Sequence, residues 1–313
     1  MPLLRISASE TGPALHGATA PLLPTLRHAL AADPGPITIM IHGYKYLPGD
    51  PVYCPFIGIL AGKPRQPGGR VLSWPRHLGL RGQRGEGLGI CFGWAARGTI
   101  RQAWHAAESA GGDLAVLLNR LRALTPARPI HIVGHSLGVR VALSALRSSP
   151  PGTVRTLIAL AAADFENHAE QALAAAGPAL RLLNVTSREN DLFDFLLERS
   201  VPAPGPKARM LGFGALRHPG LVTVQLDDVQ TLAALRRLGF PVAPPLRRVC
   251  HWSPYLRPGV FPLYRALLHD RLDWTQLRHG LPTQPAPRWS GLSLRLPRRF
   301  PGKYAQSPAI GQI

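Results

Sequence analysis

The sequence predicts an α/β fold: a central, mostly parallel sheet with helices on both faces. Three observations predict it. Short apolar runs rich in β-branched residues alternate with longer runs of helical period. Several of the short runs end in loops carrying glycine, acidic or polar residues. One runs directly into Gly134-His135-Ser136-Leu137-Gly138, a serine held between two glycines.

Residues 37–41 (Ile-Thr-Ile-Met-Ile) form the first strong strand and end at His42-Gly43; residues 89–94 (Gly-Ile-Cys-Phe-Gly-Trp) form the second. Residues 99–124 repeat apolar side chains at helical spacing, from Ala103 and Ala107 to Leu118 and Leu121, and Thr125-Pro126 closes that helix. The strand from Ile130 enters the serine turn, and 139–147 behind it reads as a helix. Buried strands follow at 154–161 and 180–186, then a strand-like 221–226 and a helical 229–238. Open sheets of this kind bind ligands at the carboxyl ends of their strands.

One domain is expected over 1–280. Residues 45–87, rich in Gly, Pro and Arg, read as an insertion placed to fold over the site as a lid. Residues 201–247 read as a cap or excursion. Residues 281–313 read as a basic, Pro-rich tail, extended or disordered.

Composition narrows the classes. A hydrophobic fraction of 45 % is that of an ordinary globule, and no run approaches the roughly 18 apolar residues of a membrane span. The first thirty residues lack an apolar block after a basic start, so no secretory leader is predicted and cytoplasm is the default. Cys54, Cys91 and Cys250 are odd in number and widely spaced, which suggests neither a disulfide framework nor a metal site. The anomaly is a net charge of +19, with only four of the 36 basic residues lysine (Lys45, Lys63, Lys207 and Lys303). No aromatic-interleaved basic run is visible, so a solvated exterior is preferred and no specific nucleic-acid partner is predicted.

The serine turn carries the chemistry. A serine between strand and helix occupies a strained conformation that needs small neighbours, and the helix aims its free N–H groups at the hydroxyl. Such a serine needs a histidine base, itself held by an acid, in the chain order serine, acid, histidine. His251 is the expected base, on a loop before Trp252-Ser253-Pro254. His218 is the alternative, while His168 comes too early and His269 and His279 lie in a charged stretch. Asp191, on the loop leaving strand 180–186, is the expected acid; an N-cap role would also suit it, and Glu189, Asp194 and Asp164 compete. The backbone N–H groups of Leu137 and Tyr44 are the expected oxyanion donors. Arg188 or Arg97 is expected either to meet an anionic substrate group or to form an ion pair.

His42-Gly43-Tyr44, the 134–138 motif, the 92–98 segment (Phe-Gly-Trp-Ala-Ala-Arg-Gly), the helix over 101–122 and His251-Trp252-Ser253 together resemble the α/β-hydrolase superfamily. The likeness is to esterase and lipase-like serine hydrolases of a proteobacterial branch, over residues 37–270. It implies an α/β-hydrolase fold and hydrolysis of a small-molecule acyl substrate (ester, thioester or amide) with no metal or organic cofactor. Two alternatives stay open. One is acyl transfer on the same site. The other is a non-catalytic member of the fold that binds nucleic acid or anionic membrane through its charge.

Overall fold

A computed structural model describes residues 3–65 and 71–283; most of the expected 281–313 tail lies outside the described residues. Eight strands form one sheet: β1 (Leu3–Ser7), β2 (Ala14–Leu15), β3 (Ile37–Ile41), β4 (Leu88–Gly93), β5 (Ile130–His135), β6 (Thr156–Leu160), β7 (Arg181–Thr186) and β8 (Leu221–Gln225). Their spatial order is β2-β1-β4-β3-β5-β6-β7-β8, and every pairing is parallel except that of the short edge strand β2 with β1. The protein is therefore α/β, with a mostly parallel sheet.

Alternation along each strand splits the interior in two. In β3, Ile37, Ile39 and Ile41 face a core built with α1 (Leu22–Ala32), α3 (Ile100–Leu124), α4 (Leu137–Arg147), α5 (Glu166–Ala176) and α6 (Asp191–Ser200). Met40 faces the second core with α7 (Val229–Arg237), α9 (Val260–Leu268) and α10 (Trp274–Gly280). Both faces of the sheet are thus covered, and its strands are accordingly apolar on both sides. The 45–87 segment contributes to the second core: Phe56, Leu60 and Trp74, the last opening the short α2 (Trp74–His77), are buried. α8 (Ser253–Leu256) completes the elements and follows directly on His251-Trp252.

Topology sets where a ligand can bind. β4 lies on one side of β3 and β5 on the other, and β6, β7 and β8 continue outward from β5. The direction of winding reverses at β3 and β5, and a crevice opens beyond the carboxyl ends of strands at such a reversal. Ile41 is in register with Gly134, so His42-Gly43 and His135-Ser136 emerge side by side there. Among the described residues, no helix is long and apolar enough to cross a membrane.

Candidate active site

Ser136 joins β5 to α4 at φ 54° and ψ −126°, a left-handed conformation that strains any residue with a Cβ. The surroundings impose it. The Ser136 N–H donates to the Leu160 carbonyl at 3.0 Å, and the Ser136 carbonyl accepts from Ala163 N–H at 3.2 Å. Glycine is required at 138, and 134 is tightly confined. A Cβ on Gly138 would lie 2.5 Å from the His42 carbonyl oxygen, and one on Gly134 would meet the Gly138 backbone at 3.0 Å. The Leu137 N–H belongs to the first turn of α4 and has no acceptor within the helix.

Across the switch point, a Cβ on Gly43 would sit 2.8 Å from that of Ser136, so only glycine allows this approach. His42, fully buried, fixes the next peptide. Its Nε2 accepts from the Trp94 backbone N–H at 3.1 Å, so Nδ1 carries the proton and donates to the Gly43 carbonyl at 2.9 Å. In a trans peptide the N–H points opposite to the carbonyl. With the Gly43 carbonyl turned toward His42, the Tyr44 N–H faces away from that ring. Burial holds the His42 pKa down to about 4, so the lock is neutral near pH 7. The Tyr44 hydroxyl anchors this segment by donating to the Gly98 carbonyl at 2.6 Å.

His251 lines the same cavity as Ser136, Tyr44 and Leu137, a space of about 410 Å³. Its loop is tied down from below. The Cys250 N–H donates to the Glu189 carbonyl at 2.9 Å, and the Glu189 carboxylate pairs with buried Arg257. His135, adjacent to Ser136, donates from Nε2 to the His251 carbonyl at 3.0 Å. The His251 ring lies between those of His135 and Phe193, at centroid distances of 4.6 and 4.8 Å. Burial, reinforced by His135, keeps its pKa well below the ordinary 6.5, so the ring is neutral near pH 7. Among the described residues, no hydrogen bond joins the ring to the Ser136 hydroxyl.

The group on Nδ1 of His251 is Asn190, not Asp191. Asn190 Oδ1 lies 2.6 Å away, and Asn190 Nδ2 donates to Asp194 Oδ1 at 2.8 Å. A carboxylate accepts only, so Asp194 fixes the amide's orientation and the amide oxygen in turn fixes the proton on Nδ1. Gly212 lets this carboxylate in: a Cβ there would lie 2.5 Å from Asp194 Oδ2. The register follows from a 3₁₀ turn over Arg188–Asn190, begun by Ser187 accepting the Glu189 N–H. That turn makes Asn190 the residue before α6 and puts Asp191, buried, at its first position, so Asp191 is not the N-cap either. The Asp191 charge acts on Arg188.

The other candidates lie elsewhere. Asp164 is buried against Arg140 at 3.0 Å and His168 at 2.6 Å. His218 accepts from the Gly220 N–H at 3.0 Å as β8 begins. Arg188 is paired with Asp227, and Arg97 stacks over Tyr53 at 4.0 Å. Sequence reasoning did not assign roles to His42, His135 or Asn190, although two of them sit inside motifs it singled out. Among the described residues, no group of three or more His, Cys, Asp or Glu is arranged to hold a metal ion. Compared with known proteins, the chain matches no family model and no curated protein.

Proposed function

We propose that the protein is a serine hydrolase of the α/β-hydrolase type that cleaves carboxylic esters through an acyl-enzyme on Ser136. One observation carries the reading: a serine held at positive φ at a strand-to-helix turn shares a cavity with a neutral histidine whose Nδ1 proton is engaged by a side-chain acceptor. In this reading Ser136 Oγ attacks the ester carbonyl carbon, and its proton passes to Nε2 of His251. Hydrogen bonds of this kind commonly tighten only once substrate is bound. The N–H groups of Leu137 and Tyr44 receive the oxyanion. Collapse expels the alkoxide, which takes the proton from His251 and leaves as the alcohol. Water, deprotonated by His251, then attacks the acyl-enzyme, and the acid departs with Ser136 reprotonated.

Asn190 takes the orienting role expected of Asp191, as an amide does in Cys-His-Asn sites, with Asp194 behind it. The cavity favours an apolar acyl or alcohol group. Ile100, Phe193, Leu197 and Tyr255 line it, and Leu196 and Trp252 are about half exposed at its edge. A fluorophosphonate probe tests the proposal: labelling is expected at Ser136 alone and is lost in Ser136→Ala. Labelling elsewhere, or a folded Ser136→Ala protein that still hydrolyses short p-nitrophenyl esters, rejects it.

A further inference from the structure

The amino ends of the strands carry a second cavity, on the side of the sheet away from Ser136. Its position follows from Asp270, which binds Arg155, just before β6, at 3.0 Å and Arg181, the first residue of β7, at 3.2 Å. His269 and Arg271 flank Asp270, and they line a cleft of about 620 Å³ together with Arg81, Arg84, Arg265 and Phe240. That volume is ordinary for a small-molecule site. Strands of five or six residues separate it from the serine by roughly 15–20 Å.

The charge in this cleft is unbalanced. Elsewhere arginines meet carboxylates, as Arg140 and Arg147 do at Glu108, Arg209 at Glu198 and Arg257 at Glu189. Among the described residues, no carboxylate lies within ion-pair distance of Arg81, Arg84, Arg265 or Arg271. The one acid in the lining, Glu86, is committed to the backbone: its Oε2 accepts the N–H groups of Arg81, Gly82 and Gln83 at 2.7, 2.7 and 2.8 Å. It thereby folds the loop that presents Arg81 and Arg84 without pairing with either guanidinium. Burial, then the fields of Arg271 and Arg265, lower the pKa of His269 against smaller opposing fields from Glu86 and Asp270.

We propose that this cleft binds a condensed-phosphate anion, a pyrophosphate group either free or esterified to a nucleoside. Four guanidiniums around one volume repel each other until an anion with several charges enters, and their planar forks match phosphate oxygens two at a time. Phe240 supplies an apolar wall against which a base could lie. The inference is independent of the reaction proposed for Ser136.

Isothermal titration of the whole protein at low salt tests it, with inorganic pyrophosphate, adenosine diphosphate, adenosine and a single-stranded polynucleotide as separate titrants. Saturable binding of pyrophosphate or of the nucleotide, but not of adenosine, is expected; tighter binding of the nucleotide would identify the esterified form as the source. Arg265→Gln with Arg271→Gln, and separately Arg84→Gln on the loop held by Glu86, should each weaken binding about tenfold or more, while Ser136 labelling stays unchanged. Absence of saturable binding at about 1 mM, equal binding by all the variants, or binding to single-stranded polynucleotide alone overturns the proposal.

Discussion

Two imidazoles in this protein have their Nδ1 engaged by a side-chain oxygen at the same distance, 2.6 Å, and they differ in everything else. His168 meets the Asp164 carboxylate directly, four residues back in the chain, whereas His251 meets the Asn190 amide across sixty-one residues, with the Asp194 carboxylate one step further away. By local chemistry the first pair looks more like a catalytic dyad. Its charge, however, is spent on Arg140, which Asp164 shares with Glu108 and which also stacks on Trp104 at 3.7 Å. Both are buried or half-buried, but only the second lines the cavity of Ser136. A hydrogen-bonded histidine becomes a base through what its other nitrogen can reach, and the first dyad holds a helix pair together instead.

This contrast can be broken or sharpened by substitution. His251→Ala should cost up to about a million-fold in turnover of a short acyl ester, on the order of 8 kcal/mol, if serine and histidine act as a unit. His168→Ala should stay within a few-fold in the same assay, and an equal loss from both would erase the distinction. Asp164→Ala should do the reverse, lowering stability by about 3–5 kcal/mol in urea unfolding because Arg140 is left buried with one partner fewer, while ester turnover by the folded fraction persists. Asn190→Ala should reduce kcat/KM by roughly 10- to 100-fold, about 1.4–2.7 kcal/mol, by freeing the ring to rotate. An unchanged value would remove Asn190 from the mechanism.

The smallest effect concerns pH. Because His251 titrates below 6.5, the acid-side fall in kcat/KM should have its midpoint below that value. Asn190→Asp sets a carboxylate against the ring, favours the imidazolium and should move that midpoint upward by about one unit. A pH profile that does not move would mean that the group on Nδ1 does not govern the base.

Much of the sheet was legible because a buried parallel strand announces itself by composition. The runs at 37–41, 130–135 and 221–225 lie within a residue of expectation. β1 was not, because Leu-Leu-Arg-Ile-Ser is short, carries Arg5 and becomes a strand through its pairing with β4. α1 and α9 were also missed: α1 lacks a side-chain N-cap, and each carries a proline near its start (Pro24 and Pro262). At the site, Ser136, Leu137, Tyr44 and His251 could be read from turn chemistry and chain order, and all four line one cavity. The contact of Asn190 with His251 could not. Asn190 and Asp191 are neighbours, and which one faces the ring depends on a single 3₁₀ turn whose phase no periodicity reveals. Charge favoured the aspartate; backbone geometry selected the amide.

The neutral state of the interior histidines reaches beyond any reaction. His42, His131 and His135 are each held by burial at a pKa of about 4, and each regains a value near 6.5 when the chain opens. Unfolding between those values therefore takes up protons that the folded molecule refuses. The contribution of these rings to stability is fully present above about pH 6.5, declines as acid is added and levels off below about pH 4, by roughly 3 kcal/mol for each ring. Urea midpoints measured from pH 7 to pH 4 should fall steeply, and replacing His131, whose two ring nitrogens have no hydrogen-bond partner among the described residues, with an apolar residue should flatten the slope. Acidification would thus act on this chain as a denaturant, delivered through three side chains that lie almost wholly inside the folded molecule.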